Sequence, residues 1–330
     1  MQGEITIARD PESQGATARV PTGLKGGAQM EHRRTPLAWV ESPLQLLGAA
    51  EYAATLGRPI AVAFRLTGPQ MPTTMAELLA RGALFSSVAP YYGIPWSLLH
   101  DQPDWAIGDG FSGQFRMAAA LMRPRSITLL DDGDMSIHLA SALLGRTGFA
   151  RRGIHESGLA TLLGGLARDR MLRLAGSQRL TMFSAFADDP TVAAVPARDI
   201  DVVPNTFAWL RAHAKPTRLP HPRVVLGSAR VADGLTSAPS YLDWLRSVSA
   251  DGPISYLPHR REQNSQLAGI ALLEGVTVVD AGLPAELLLA GTPEPLDILM
   301  MRSSASTTLR AVLEGTGSTV TVSSPAELVR

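Results

Sequence analysis

The sequence predicts an α/β protein built from two doubly wound parallel sheets. A length of 330 residues is enough for two domains of ordinary size, each with its own core. Short apolar runs alternate with helical patterns from Leu37 onward, and the alternation restarts at Arg223 after the polar, proline-containing stretch 215–222. Such alternation is typical of parallel strands joined by right-handed helical crossovers.

The chain divides into three segments in this interpretation. Residues 1–36 are rich in Gly, Pro, Thr and charge and have no hydrophobic periodicity, so we expect a disordered leader. Residues 37–215 are expected to form an N-terminal Rossmann-like domain, and residues 216–330 a C-terminal Rossmann-like domain.

Buried strands are predicted where apolar runs are short and bounded by turn residues. They are expected at 37–40, 59–66, 126–130, 180–183, 223–228, 254–257, 276–279, 296–300 and 319–322. Helical patterns between them are expected near 44–54, 75–81, 115–122, 136–144, 159–174, 241–248, 263–273, 284–289 and 304–313. The segment 91–113 is rich in Pro, Gly, Trp and Asp, which predicts irregular structure or short elements.

Composition excludes several classes of function. Lys plus Arg and Asp plus Glu are 30 each, so no global charge favours nucleic acid. The absence of cysteine excludes disulfides, zinc thiolates and thiol nucleophiles. No apolar run approaches the roughly 18 residues of a membrane span, and we expect a cytoplasmic protein. Peripheral attachment at the inner face of a membrane, and a homodimer, stay open.

Two acidic residues, Asp131 and Asp132, directly follow the predicted strand 126–130, and Gly133 comes after them. Ligands bind outside the carboxyl ends of strands in such sheets, so a carboxylate here could remove a proton from an attacking hydroxyl. Asp132 and Asp134 also have the one-residue spacing of a metal-binding pair. The simpler alternative is a turn whose Asp side chains cap the next helix.

A basic segment follows the predicted strand 254–257 and includes Pro258, His259, Arg260 and Arg261. Arginine pairs well with phosphate, and histidine can donate a hydrogen bond or a proton. The alternative is a solvated basic loop before a helix. His221 precedes its strand, so we expect it at the opposite end of the sheet.

Two further strand ends carry polar residues. Ser303 and Ser304 follow strand 296–300 at a predicted helix start, where free N–H groups favour an anion, although simple helix capping explains them too. Ser42 and Gln45 follow the first strand, and Asp109 lies between two glycines. We expect these last three to face the cleft from the N-terminal domain. No nicotinamide fingerprint, Walker A sequence or hydrolase elbow is present.

The order of these motifs resembles that of the bacterial sialyltransferases, particularly the lipooligosaccharide sialyltransferases and capsular polysialyltransferases. The likeness rests on Asp131-Asp132-Gly133, on Tyr256-x-Pro258-His259, on Ser303-Ser304 and on the stretch 42–47 (SPLQLL). It spans roughly 37–308. The family histidine is usually followed by proline, whereas His259 is followed by Arg260.

The resemblance implies a GT-B architecture, with two Rossmann-like domains facing each other across a cleft. Residues 37–215 would bind the acceptor, with Ser42, Gln45 and Asp109 on the acceptor side, and residues 216–330 would bind the nucleotide donor. It implies inverting transfer of sialic acid from a CMP-linked donor to a glycan, with no cofactor or required metal. Asp131 would be the general base, with Asp132 orienting the loop or taking that role itself. His259 would contact the CMP phosphate, and Ser303 and Ser304 would hold that phosphate or the donor carboxylate. Gly133, Pro258 and Arg260 would complete the donor site.

Two other readings stay open. The chain could be another GT-B enzyme with a CMP-Kdo or UDP-sugar donor. It could also be a noncatalytic nucleotide-binding protein, and the presence of Asp131, His259 and Ser303 favours the enzyme.

Overall fold

A computed structural model describes residues 35–66, 68–280 and 282–323 of the chain. The predicted leader falls almost wholly outside the described residues. Strands β1 to β7 and helices α1 to α7 come first along the chain. The strands are Leu37–Val40, Ile60–Arg65, Phe85–Tyr91, Asp104–Ile107, Ser126–Leu130, Leu180–Ser184 and Asp201–Pro204. The helices are Pro43–Leu56, Gln70–Ala80, Trp96–Asp101, Gly113–Leu121, Asp134–Leu143, Leu159–Ala175 and Ala208–Ala212.

The second half of the chain supplies strands β8 to β12 and helices α8 to α11. The strands are Arg223–Leu226, Ile254–Leu257, Val276–Val278, Asp297–Met301 and Thr319–Ser323. The helices are Ala238–Ala250, Asn264–Ala271, Ala285–Leu289 and Ala305–Val312.

The strands form two all-parallel sheets whose orders both reverse direction near the middle. The first has the order β3-β2-β1-β4-β5-β6-β7, and the second has the order β10-β9-β8-β11-β12. Each reversal is a topological switch point, where ligands bind in doubly wound sheets. The predicted α/β fold with two Rossmann-like sheets, the organisation of the GT-B class, is confirmed.

Successive side chains of a strand point to opposite faces, and this alternation divides the core into three apolar clusters. In β1, Leu37 and Trp39 belong to an outer cluster, whereas Ala38 and Val40 belong to the middle one. In β8, Val225 belongs to the other outer cluster. The middle cluster also includes residues of both sheets and their helices, namely Leu46, Leu47, Phe183, Trp209, Val224, Leu226, Leu287 and Leu309.

Polar contacts also join the two sheets through the segment between them. Buried Glu51 of α1 accepts hydrogen bonds from the N–H groups of Trp209 and Leu210 at 3.1 and 2.7 Å. Arg211 of α7 donates to the carbonyl of Ala311 in α11 at 2.5 Å. The short helix α7 is therefore fixed to a helix of each sheet. The described residues form one compact unit, so the boundary at 215 stays a prediction.

The segment 91–113 contains the expected short elements, and one of them is central to the fold. Strand β4 lies between β1 and β5, pairing with both. Its four residues are buried, and Trp105 is among the largest fully buried side chains. No helix of the described residues is long and apolar enough to cross a membrane.

Candidate active site

Three polar side chains meet at the switch point of the first sheet. Gln45, Asp109 and Asp132 follow β1, β4 and β5, which are neighbours in the sheet. Gln45 donates from Nε2 to Asp132 Oδ1 at 2.7 Å, and its Oε1 accepts the N–H of Glu41 at 2.7 Å. At Gly108, any Cβ would lie 2.1 Å from Oε1 of Gln45. A glycine is therefore needed beside β4 for Gln45 to reach Asp132.

The two adjacent aspartates differ in what surrounds them. Asp131 is 2% exposed, and its two carboxylate oxygens accept from Ser184 Oγ at 2.5 Å and from the N–H of Ala185 at 2.6 Å. Burial raises the pKa of Asp131 to about 6, against the opposing effect of these hydrogen bonds. The Asp131 carboxylate thus ties the end of β5 to the end of β6 and is turned away from solvent.

Asp132 keeps partial access to solvent and has the more strongly perturbed carboxylate. Burial, followed by the nearby negative charge of Asp109, raises the pKa of Asp132 to about 7. The hydrogen bond from Gln45 and the positive charges of Arg151 and Arg260 act in the opposite direction. A carboxylate with a pKa near neutrality is well matched to accept a proton from a hydroxyl.

Asp109 is held by one backbone group and one ion pair. Its Oδ1 accepts the N–H of Phe111 at 2.9 Å, and its Oδ2 pairs with Arg151. Arg151 lies in the segment between α5 and α6 and was not singled out from the sequence. It had no motif to mark it, because its role depends on a contact with a residue 42 positions away.

Glu41 and Ser42 occupy the turn between β1 and α1. Ser42 is buried and caps α1, since its Oγ accepts the N–H of Gln45 at 3.3 Å. Glu41 pairs with Arg65 at 3.0 Å and accepts from Ser112 Oγ at 2.8 Å. Ser42 therefore acts first as a helix cap, whereas Gln45 points directly at the candidate base.

The loop after β9 is shaped by the partly buried carboxylate of Glu262. Glu262 accepts the N–H of His259 at 2.7 Å and the hydroxyl of Tyr256 at 2.5 Å. A Cβ on Gly227 would lie 2.3 Å from the same Glu262 carboxylate. The bare α-carbon at the end of β8 therefore lets the His259 loop fold against it.

His259 is presented as a neutral hydrogen-bond donor. Its Nδ1 accepts the N–H of Arg261 at 3.2 Å, so the ring proton belongs on Nε2. Burial, with the positive charges of Arg260 and Arg261, lowers the pKa of His259. Pro258 lies between His259 and Leu257, the last residue of β9. His221 instead lies at the amino ends of the strands, with Nε2 3.3 Å from Thr277 Oγ1.

The carboxyl ends of the two sheets face each other. Ser304, at the start of α11, packs so closely on Gly133 that a Cβ there would lie 2.6 Å from its Oγ. Gly133 has φ 63° and ψ −138°, a conformation that glycine adopts at little cost. The positive charge of Arg260, on the second sheet, lowers the pKa of Asp132, on the first. The predicted acidic, basic and serine motifs are thus brought to one cleft.

A polar cavity of about 690 Å³ adjoins the contact between Gly133 and Ser304, and neither Asp132 nor His259 nor Arg260 lines it. Helix α5 forms one wall and the start of α11 forms the other. Arg152 and Arg302 reach it from the first and second halves of the chain, and neither makes an ion pair with another described residue. Its lining residues are Asp134, Ile137, His138, Ser141, Arg152, Thr191, Arg302, Ser303, Ser304, Ser306, Thr307 and Val322.

Metal ligands are not grouped in the part of the chain that the structure describes: no three His, Asp or Glu side chains are placed to hold an ion. Metal-independent chemistry stays a prediction.

Comparison with known proteins gives likeness to solved structures alone. No family model matches the chain, and no curated protein matches it in sequence. A structure of Phytolacca americana UGT2 complexed with UDP-2fluoro-glucose and pterostilbene is 13% identical, covers 88% of this chain and 80% of that chain, and has a TM-score of 0.41. Arabidopsis thaliana UGT89C1 complexed with UDP-L-rhamnose is 11% identical, with coverage of 90% and 89% and a TM-score of 0.42. The glycotransferase of kitacinnamycin is 13% identical, with coverage of 90% and 89% and a TM-score of 0.31. No residue role or ligand can be carried over at this level of similarity.

Proposed function

We propose that the chain is a glycosyltransferase that moves sialic acid, or a related nonulosonic acid, from a CMP-activated donor to a glycan hydroxyl. One observation carries the proposal: Asp132 follows β5 and is hydrogen-bonded at 2.7 Å to Gln45 beside the switch point of the first sheet, and the charge of Arg260 on the second sheet acts on its pKa. A proton acceptor and a phosphate-binding group thus flank one cleft. The choice of CMP-linked donor rests on the order of the sequence motifs.

Asp132 is the general base in this proposal. Its carboxylate takes the proton of the acceptor hydroxyl while the hydroxyl oxygen forms a bond to the anomeric carbon. The bond from that carbon to the donor phosphate breaks, and its electron pair leaves with the nucleotide. Asp131 serves to fix the loop, because both of its oxygens already accept hydrogen bonds. This arrangement exchanges the roles that the sequence favoured.

The second sheet holds the donor. The Nε2–H of His259 donates to the leaving phosphate, and Arg260 offsets its developing charge. Ser303 and Ser304 contribute hydroxyls at the mouth of the cavity. Positioning and charge stabilisation account for much of the rate in such a transfer, because a nucleotide phosphate is a good leaving group.

The first sheet receives the acceptor. Gln45 and Asp109 orient and tune Asp132, and Ser42 acts through the position of Gln45. The cavity beside Ser304 is lined from both halves of the chain by several serine and threonine hydroxyls, which can bind the hydroxyl groups of a sugar where donor and acceptor meet. The proposal needs no metal and no cofactor besides the donor substrate itself.

Donor and base can be tested together with Asp132→Asn. We expect CMP-sialic acid to support transfer better than CMP-Kdo, UDP-glucose or UDP-N-acetylglucosamine. Transfer should require the ionised form of Asp132 and so should rise with pH through about 7 and level off above it. Asp132→Asn should lower kcat roughly 10²–10⁴-fold while calorimetry shows CMP binding nearly unchanged, because the base acts on the acceptor.

The outcomes separate the alternatives. Preference for a UDP-sugar would keep the glycosyltransferase and remove the CMP assignment. Binding of CMP without transfer to any of a panel of glycans would favour a noncatalytic nucleotide-binding protein. Full activity of Asp132→Asn would remove the proposed base.

A further inference from the structure

Two neighbouring helices of the first half expose leucines and a methionine to solvent. On α6, Leu159, Leu162 and Leu166 are 65%, 60% and 44% exposed. On α4, Met117 and Leu121 are 39% and 72% exposed. Large apolar side chains gathered on one surface mark sites that bind a partner or a membrane. We call this surface the α4–α6 face.

The exposed residues of α6 share one side of the helix. Leu159, Leu162 and Leu166 are spaced three and four positions apart, and Arg170 and Arg173 continue the same stripe. The opposite side packs into the outer cluster of the first sheet through Ala167, Met171 and Leu174. The exposed leucines are therefore additional to those that the core requires.

The two helices run side by side in the same direction. Arg116, in the first half of α4, donates to the carbonyl of Ala160 at the start of α6 at 3.5 Å. At the other end, Arg123 follows α4 and lies close enough to Arg170 of α6 for its positive charge to lower the pKa of Arg170. The exposed side chains of α4 and α6 therefore belong to one continuous surface.

Three arginines cluster at one end of this face. Burial, together with the positive charges of Arg173 and Arg123, lowers the pKa of Arg170. None of the three guanidinium groups forms an ion pair with another described residue. Asp169 is the one acidic residue of α6, and α4 has none. Repulsion among unpaired cations is unfavourable unless an anionic surface is available to offset it.

We propose that the α4–α6 face docks on an anionic lipid bilayer. Its leucines and methionine enter the boundary between headgroups and acyl chains, while Arg123, Arg170 and Arg173 contact lipid phosphates. Peripheral helices bind anionic membranes through apolar side chains such as leucine, which enter the interface, and neighbouring arginines, which contact the anionic headgroups. The charge of the arginines favours this occupant over a neutral surface. No residue of the stripe lines the cavity beside Ser304, so docking is compatible with an open active site.

Vesicle co-sedimentation of the full chain tests the proposal. The chain should sediment with vesicles of phosphatidylcholine mixed with phosphatidylglycerol about tenfold more than with phosphatidylcholine alone, and salt should weaken this preference. Leu162→Gln with Leu166→Gln should reduce binding about tenfold. Arg123→Gln with Arg173→Gln should remove the preference for the anionic lipid. Both pairs replace side chains that make few internal contacts, and circular dichroism would verify their folding.

A matched control uses exposed leucines elsewhere in the molecule. Leu84 and Leu272 are 38% and 87% exposed and lie outside α4 and α6. Leu84→Gln with Leu272→Gln should bind vesicles as the wild type does. The proposal is overturned if the wild type ignores anionic vesicles, or if the control pair loses as much binding as the Leu162 pair. A homodimer that dissociates in the Leu162 pair would instead assign the face to a second copy. The co-sedimentation assay contains no sugar donor or acceptor, so vesicle binding is measured independently of the proposed sugar transfer.

Discussion

At the scale of single residues, two adjacent carboxyls are given different tasks by their hydrogen bonds. Asp131 and Asp132 follow the same strand, and the sequence alone favoured Asp131 as the base. Both oxygens of Asp131 accept hydrogen bonds from Ser184 and Ala185, whereas Asp132 has one oxygen bonded to Gln45 and is partly exposed. Ser184 and Gln45 lie 53 and 87 positions from their aspartates. No local pattern could reveal such distant partners.

The raised pKa of Asp132 carries a cost in stability that a substitution should remove. Its pKa is about 7 in the folded protein and about 3.9 in the unfolded chain. Between these values only the unfolded chain loses the proton, so stability falls as pH rises toward 7. Asp132→Asn should therefore be more stable than the wild type at pH 8, on the order of 1–3 kcal/mol, with little difference near pH 4.

Thermal melts at both pH values check this expectation, and Asp131→Asn is the comparison. An amide at 131 cannot accept from both Ser184 and Ala185, so that variant should melt below the wild type at either pH. If Asp132→Asn gains nothing at pH 8, the carboxylate is less perturbed than its surroundings indicate.

At the scale of elements, the loop after β9 shows what holds His259, the proposed donor-binding histidine, in place. Glu262 and the bare α-carbon of Gly227 fix its backbone, and the charge of Arg260 in the same loop lowers the pKa of Asp132. His259→Ala should weaken CMP binding by about 1.5–3 kcal/mol, the usual value of one hydrogen bond to a charged group, and should slow transfer.

His221→Ala is the matched control for this loop, because His221 lies at the amino ends of the same sheet. Calorimetric titration with CMP should show wild-type affinity for His221→Ala. If His221→Ala loses affinity for CMP and His259→Ala keeps it, His259 does not bind the phosphate and the donor site is left unassigned.

Elements with strong apolar runs were predictable, and those without them were not. Strands β1, β5, β8, β9 and β11 lie where the sequence predicts them, within a residue or two. Strand β4 was expected only as one of several short elements, because Pro103 and Gly108 bound its four residues. Its central position depends on pairing with β1 and β5, which are distant in sequence. Asp109 could be proposed as a site residue, but its Arg151 partner could not.

At the scale of the whole molecule, the two sheets are joined by a core that neither could complete alone. The middle cluster contains Leu47 and Phe183 from the first half and Val224 and Leu309 from the second. Separating the halves would expose this apolar surface to water, which is strongly unfavourable. We therefore expect one cooperative unfolding transition for residues 37–323 in calorimetry.

A mutation in the core of one half should lower the unfolding temperature of both halves. Val224→Ala removes two methyl groups from the middle cluster, so near- and far-ultraviolet circular dichroism should shift to a lower temperature together. Two transitions, only one of them moved by the substitution, would instead show that the halves unfold independently.

The contact between Gly133 and Ser304 limits how such a molecule can change over evolutionary time. Exchanging the half after residue 215 for that of a relative is an obvious route to a new donor. The incoming half must also match the middle cluster in volume and must present a small residue opposite Gly133. Donor preference in this architecture should therefore change more readily by substitution within the loops after β9 and β11 than by recombination of whole halves.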